Sequence, residues 1–508
     1  MNSREASRVG RRQFIQGTAA AALLSGVAPA RAASSRGSVI VEENKRAGAI
    51  DWQLTRVRLD KAQGVRAPAV EGYAAKQSVL AGESIDLFVS TTPAARFKIE
   101  IFRTGYYGGR GARLMTTLGP FEGEPQVVPT MGERRLVECR WNRTASLRIP
   151  ADWPSGVYLG RLTTIPASDD KPYWQNYIVF IVRDTRRADV LLQCSDNTWQ
   201  SYNKWPENTS LYTAPAGAHA RNVAASFDRP YGKYAQIYEN PQSIGSGEWL
   251  CFEFPLAYWL EQHGYDVTYC SNADCVEAAQ ITRCKTMLSV GHDEYWDLRQ
   301  YEAVKQAIQS GVSVLWFSGN SCFGVSEFQP SSDGRPGRII ERVGHYSGLS
   351  DEEVENARRV LTKEFKRVGP DESLIIGART IIPFNGGADW TCTKPDHWVF
   401  AGTGMKKGES IPGLVGWEHH GAPAKIPGLE VVAEGLVFSG TQTPRYTATV
   451  FPGPKNNFVF NAATIFWVQG LSSPPGHMLP WSHSSRPHGP DPRVQQITHN
   501  LIRRAIGR

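Results

Sequence analysis

Lys285-Thr-Met-Leu-Ser-Val290, Leu298–Gln309 and Gly311-Val-Ser-Val-Leu-Trp-Phe317 follow one another as an apolar run, an amphipathic stretch and a second apolar run. Continuous apolar runs suit strands buried on both faces, as parallel sheets require, and the amphipathic stretch between them is a crossover helix. Working outward, Ala188-Asp-Val-Leu-Leu-Gln193 is another such strand, Pro255–Gly264 a helix closed by glycine, and Tyr265-Asp-Val-Thr-Tyr269 a strand. Asn457-Phe-Val-Phe-Asn461 adds a late strand and Gln495–Ile506 a terminal helix. This alternation predicts an open α/β sheet with helices on its faces. The segment 326–450, rich in Gly and Pro, offers no periodicity from which its topology can be traced.

Toward the N-terminus the pattern changes. Glu83–Ser90 and Phe97–Phe102 alternate apolar and polar with period two, and Val157–Leu162 and Tyr177–Val182 complete a set of short strands. Gly/Pro clusters at Gly105–Gly111, Gly119–Gly123 and Trp153–Gly156 are expected as turns. The predicted class is α+β with two domains. An antiparallel β-sandwich over 38–186 is followed by an α/β domain over 187–508.

The chain has 508 residues, 41% hydrophobic and 21% charged. It lacks the repeated apolar runs of about 20 residues that a polytopic membrane protein needs. Its 15 Trp, 18 Tyr and 20 Phe argue against disorder. The formal charge is +7, but Arg4, Arg8, Arg11, Arg12 and Arg31 against Glu5 place +4 of it in the first 32 residues. The remaining +3 is too weak for a nucleic-acid footprint, so no nucleic-acid partner is expected.

Residues 1–32 are expected to be a twin-arginine export signal. Arg11-Arg12-Gln13-Phe14-Ile15-Gln16 precedes a mild apolar stretch, and Ala30-Arg31-Ala32 supplies small residues for cleavage. The expectation is a periplasmic or secreted protein with no integral membrane segment after processing. Export of a folded chain favours a metal inserted beforehand. The eight cysteines form no paired C-x-x-C pattern, which argues against zinc ribbons and iron–sulfur runs. Cys270, Cys275 and Cys284 are close enough in sequence to include a disulfide, and no bridge is assigned.

In open α/β sheets, ligands gather at the carboxyl ends of the strands. Two neighbouring strands here run into Gly291-His292-Asp293-Glu294-Tyr295-Trp296 and Ser318-Gly319-Asn320-Ser321. The loops bring together a histidine, carboxylates and an amide, as acid–base or metal chemistry requires. A bland reading stands beside this one: Asp293 and Glu294 favour the N-terminus of the helix that begins near Asp297. A second candidate, Asp196-Asn-Thr-Trp-Gln-Ser-Tyr-Asn203 with Ser210-Leu-Tyr212 beyond, either lines a pocket or packs the domain interface. No G-x-S-x-G elbow is present, and Cys322 has no base in reach of the sequence pattern.

Tyr106-Tyr-Gly-Gly109 with Gly111-Ala-Arg-Leu114, Asp152-Trp-Pro-Ser-Gly-Val-Tyr158, Asn197–Asn203, Gly291–Trp296 and Asn461-Ala-Ala-Thr464 occur in this order. As an ordered set spanning about Gly72 to Leu471, they resemble the large (beta) subunit of N,N-dimethylformamidase and its relatives. The resemblance implies a lectin-like or sandwich domain, then a glutamine-amidotransferase-like α/β domain. It also implies hydrolysis of a small amide at a mononuclear ferric iron (Fe3+) held by two tyrosines and one glutamate. Carried over by motif, Glu294 is the carboxylate ligand and Tyr202 and Tyr212 are the tyrosine ligands, with Tyr258 a rival. His292 and Asn320 match positions that support the metal ligands and orient the substrate, and Glu418 in Gly413-Leu-Val-Gly-Trp-Glu418 matches a distal catalytic glutamate. The family amidase also uses a lysine beyond the asparagine. This chain has none between Lys305 and Lys363, where Arg338 and Arg342 stand instead. An arginine stays protonated and is no equivalent proton donor or acceptor.

Two function classes follow. One is an exported, iron-dependent hydrolase of a small amide, working alone, as a homo-oligomer or with a small partner subunit. The other is a cell-envelope or glycan-binding protein whose amidase domain has lost its activity. A hydrolase using another metal, such as zinc, is a third possibility.

Overall fold

The computed structural model describes residues 38–57, 64–207, 209–212, 221–233, 244–360, 365–380, 386–416, 418–438, 443–479 and 489–507. The leader expected at 1–32 lies outside them. A short helix, Val39–Glu43, precedes the first strands. β1 (Glu71–Ala74), β3 (Ser84–Ser90) and β6 (Ala145–Arg148) form a three-stranded antiparallel sheet in the order β1-β3-β6. β2 (Ser78–Leu80), β4 (Ala95–Thr104), β5 (Ala112–Gly123), β7 (Gly156–Thr164) and β8 (Gln175–Arg183) form a second sheet, ordered β2-β8-β7-β4-β5. One apolar cluster draws on both, with Ile85, Leu87 and Val89 meeting Phe97, Ile99, Leu162, Ile178 and Phe180. These inward positions are the apolar half of the period-two pattern.

Two expectations about this part need correcting. The five-stranded sheet is not wholly antiparallel, because β2 pairs parallel to β8. Gly119–Gly123 is not a turn but the end of β5, whose register against β4 shifts between Phe97 and Ile99. Gly119 takes φ +101° there, and β5 lies on the sheet edge, where a bulge and a proline cost no ladder bond.

The larger sheet contains seven strands, β9 (Val190–Gln193), β11 (Val267–Cys270), β12 (Thr286–Gly291), β14 (Ser313–Ser318), β21 (Glu430–Leu436), β22 (Arg445–Pro452) and β23 (Phe458–Asn461). Their order is β11-β9-β12-β14-β23-β22-β21, parallel through β23 and antiparallel beyond it. Alternate side chains go to opposite faces. Leu192, Leu288 and Leu315 join the cluster containing helices Phe254–Gln262 and Pro492–Ile506. Leu191, Met287 and Val314 meet Tyr301, Val304 and Ile308 of helix Leu298–Ser310. Apolar side chains on both faces account for the continuous apolar runs of these strands.

The stretch without periodicity resolves into short pairings. β10 (Val223–Ser226), β13 (Tyr295–Trp296), β15 (Gly324–Gln329) and β16 (Ile339–His345) form a four-stranded sheet in the order β10-β16-β15-β13. β17 (Ala378–Thr380) pairs with β20 (His420–Pro423), and β18 (Ala388–Thr391) with β19 (Ser410–Val415). The expected helix Pro255–Gly264 is Phe254–Gln262, extended backward by a wider turn over Trp249–Glu253, and Tyr265 lies before its strand. All eight cysteines are free and buried. Arg103 of β4 and Glu261, both fully buried, pair at 2.7 Å and tie the N-terminal sheets to the larger one. Among the described residues no helix is long and apolar enough to cross a membrane.

Candidate active site

The carboxyl ends of β9, β12, β14 and β23 carry the polar loops singled out in the sequence. β12 ends at Gly291, whose φ of +65° turns the chain, and a Cβ there would lie 2.8 Å from Phe252 Cβ and carbonyl oxygen. Glycine is therefore required where the His292–Glu294 loop begins. Within that loop Asp293 and Glu294 part company. Asp293 accepts from Ser289 Oγ (2.8 Å), Gln193 Nε2 (2.9 Å) and Asn272 Nδ2 (3.1 Å), so it buckles three strand ends together. Burial pushes its pKa up to about 6. The N-terminus of the following helix is capped by Asp297, which accepts from Arg299 N–H at 2.8 Å. Asp293 and Glu294 precede that cap in the chain and do not themselves make it.

Glu294 is 2% exposed and faces the site. Tyr202 OH donates to its Oε2 at 2.8 Å, and Tyr212 OH donates to its Oε1 at 2.7 Å. The two phenol rings stack with centroids 4.5 Å apart. Helix Asp196–Tyr202, following β9, delivers Tyr202, while its Trp199 is buried in the core. Tyr258, the rival ligand, packs edge-on against Tyr106 with ring centroids 5.2 Å apart. Burial, reinforced by the Glu294 charge, raises the pKa values of Tyr202 and Tyr212 well above the ordinary phenol value. Burial likewise pushes Glu294 up to about 7 against the hydrogen bonds of the two tyrosines.

His292 lies with Nε2 3.3 Å from Glu294 Oε2, and its burial drops the imidazole pKa to about 3, which keeps it neutral. Asn320, just past the end of β14, lies near enough to the carboxyl groups of Glu294 and Glu418 to favour the charged form of each. Burial, and then the Glu294 charge, raises the pKa of Glu418 well above the ordinary carboxyl value. Asn320 Oδ1 and Glu418 Oε2 are buried without a hydrogen-bond partner. Both residues have left-handed backbone, φ +51° and +63°. Such conformations cost about 1–3 kcal/mol each and persist where the surroundings over-determine them. Six residues expected from sequence, Tyr202, Tyr212, His292, Glu294, Asn320 and Glu418, are therefore brought together.

The turn that presents Asn320 is held from behind by residues that sequence reading missed. Ser321 N–H donates to His420 Nε2 at 2.9 Å, which leaves the proton on Nδ1 to bond Asn461 Oδ1 at 2.7 Å. A Cβ on Gly319 would lie 2.1 Å from the Glu418 carbonyl oxygen and 2.9 Å from Ile465 N. Both obstacles are backbone, so Gly319→Ala is expected to displace Glu418 and cost about 1–3 kcal/mol, readable in thermal unfolding. A wild-type melting temperature would contradict that packing. Glu248 also acts electrostatically on Glu418, from a turn with no sequence signature. Of the two arginines flagged earlier, Arg338 is engaged by Asp228 at 2.8 Å. Arg342 reaches Tyr295 OH at 3.2 Å.

Asp196 opens the helix that carries Tyr202. Its Oδ1 accepts from Asn272 N–H at 2.7 Å, its Oδ2 meets no donor, and burial pushes its pKa from 3.8 up to about 8. Between those values the folded chain keeps a proton that the unfolded chain has released. Asp196 therefore makes stability fall as pH rises through that window, by about 1.4 kcal/mol per unit. Asp196→Asn is expected to flatten this slope in unfolding measured from pH 5 to 8. An unchanged slope would show that Asp196 is ionised throughout.

Among the described residues no group of three or more His, Cys, Asp or Glu side chains is placed to hold a metal ion. The Tyr202–Tyr212–Glu294 set is of another kind, with two phenol oxygens and one carboxylate. Four oxygens meet there through two shared protons, beside the unpartnered oxygens of Asn320 and Glu418. Hard oxygen donors of this sort suit a highly charged cation.

A comparison with curated proteins gives no match. Among solved structures, a family 123 glycoside hydrolase from Clostridium perfringens, studied for glycolipid glycan hydrolysis, aligns at 8% identity with a TM-score of 0.12. That alignment covers 56% of this chain and 54% of the other, so this chain spans about half the length of the structure it matches. At that level the likeness carries no argument. The family described as N,N-dimethylformamidase beta subunit-like, C-terminal, matches residues 98–480. With a match over more than half of its length, the chain belongs to the N,N-dimethylformamidase beta subunit-like family.

Proposed function

We propose that this protein hydrolyses a small amide C–N bond, with a single ferric ion held by Tyr202, Tyr212 and Glu294. The observation that carries this reading is the convergence of both phenols on Glu294, beside Asn320 and Glu418. Family membership supports a dimethylformamidase-like hydrolase. When bound, the ion supplies a Lewis acid for the amide carbonyl and lowers the pKa of water.

The chain's own groups supply the rest. Asn320 orients the substrate through its amide, whose Oδ1 has no partner within the protein. Glu418 holds a proton beside the site and delivers it to the nitrogen of the departing amine. His292, neutral and buried, lies against Glu294 and fixes that carboxylate's orientation. Burial of Glu294, Asn320 and Glu418 excludes bulk water and strengthens each of these contacts.

The same reading extends to the architecture. The mixed sheets agree with a sandwich domain ahead of an amidotransferase-like domain, and the beta-subunit description of the family favours a partner subunit. The Arg11-Arg12 motif favours export to the periplasm. The test is a panel of small N-alkyl amides and N-formyl compounds incubated with iron-loaded protein, read as release of free amine. Turnover of at least one is expected. Stoichiometric metal without turnover of any would favour the binding-protein alternative.

A further inference from the structure

We propose that Tyr295 and Arg342 are positioning residues for Tyr212, joined in a one-way chain of hydrogen bonds that makes the two site tyrosines unequal. Arg342 Nη1 donates to Tyr295 OH at 3.2 Å, Tyr295 OH donates to Tyr212 OH, and Tyr212 OH donates to Glu294 Oε1 at 2.7 Å. The direction is fixed at its origin, because a guanidinium has only donors and does not lose its proton. Arg342 is fully buried, and its Nη2 donates to the carbonyl of Leu211, the residue before Tyr212, at 3.0 Å. Its guanidinium carbon stands 5.4 Å from the centroid of the Tyr212 ring. One cation thus grips both the backbone and the ring of this tyrosine. Tyr202 stands on a different element and meets Glu294 through the other carboxylate oxygen.

The four-stranded sheet β10-β16-β15-β13 is the platform for this chain. Tyr295 of β13 lies opposite Gly324 of β15, and Arg342 of β16 lies between Ser326 and Val223. A Cβ on Gly324 would fall 2.5 Å from the Tyr295 ring, so glycine gives that ring its place. The sheet sets the spacing between an arginine and a phenol 47 residues apart in the chain. The consequence at the site is asymmetric. A hydrogen-bond donor and a fixed positive charge draw electron density from Tyr212 oxygen, leaving Tyr202 the stronger donor to a cation.

The spectroscopic part of this inference rests on the metal reading above; the positioning part does not. The experiment compares wild type, Tyr295→Phe, Arg342→Met and the double variant. Metal-free thermal unfolding is expected to be non-additive, with the double variant melting within about 2 °C of the worse single one. Additive losses overturn the chain of bonds whether or not iron binds. Should Arg342→Met fail to fold, Arg342→Lys replaces it in the same cycle. In iron-loaded protein, Tyr295→Phe is expected to move the visible phenolate-to-iron band to longer wavelength, while the remote Tyr106→Phe leaves it in place. An unmoved band in Tyr295→Phe overturns the inequality of the tyrosines. Wild type that takes up no iron, with a coupled metal-free cycle, overturns the metal reading and upholds the positioning chain.

Discussion

Glu294→Gln is expected to lower ferric-ion affinity by more than about 100-fold while the metal-free protein folds normally. Replacing residues that touch only a ligand typically costs 10–100-fold, and Glu294 itself is the acceptor on which both phenols converge. Glutamine keeps the shape and retains an acceptor for one phenol, but it removes the charge. Removing that charge does not threaten the fold. Burial raises the Glu294 pKa to about 7, so above that pH the folded state bears the cost of a desolvated carboxylate. A carboxyl group with a raised folded-state pKa loses stability as pH rises from its unfolded value through its folded one. The metal-free variant should therefore be at least as stable as wild type at pH 8. Calorimetric iron titration and thermal unfolding of the same preparation check both halves. Wild-type affinity in Glu294→Gln would remove this carboxylate from the metal site.

Glu418→Gln is expected to leave iron uptake intact and to reduce kcat for alkylamide hydrolysis by about 100- to 10,000-fold, the range for losing a positioned general acid. Glu418 suits that role because burial and the Glu294 charge raise its pKa well above that of an exposed glutamate. An alkylamine leaves poorly unless its nitrogen is protonated, whereas an aniline bearing an electron-withdrawing group needs little help. The loss should accordingly be far smaller for an activated anilide than for an alkylamide, provided both bind. Equal losses on the two substrates would assign Glu418 to substrate binding or to packing instead. Steady-state kinetics on matched alkylamide and anilide pairs provide the comparison.

What the sequence disclosed follows from where its physics is local. Strands β12 and β14 are legible because burial on both faces writes an unbroken apolar run into a few consecutive residues. Their C-terminal loops then mark the site without further information, and His292, Glu294 and Asn320 follow. Tyr202, Tyr212 and Glu418 needed the ordered set of motifs, since nothing local distinguishes them from packing residues. The contact between Tyr295 and Arg342 stayed hidden for a different reason. Their meeting depends on pairings of β13, β15 and β16, and β13 is only two residues long. The His420–Asn461 buckle joins residues 41 apart and is equally silent in the sequence. Gly119–Gly123 misled because glycine and proline mark a bulged edge strand with the same residues as a turn.

Metal content and the visible spectrum of the purified protein, before and after ferric reconstitution, decide whether Tyr202, Tyr212 and Glu294 hold iron. One iron per chain with a visible phenolate-to-iron band is expected, and loss of that band in Tyr202→Phe, Tyr212→Phe and Glu294→Gln. Colourless protein that stays metal-free after reconstitution, or an unchanged band in all three variants, would contradict it.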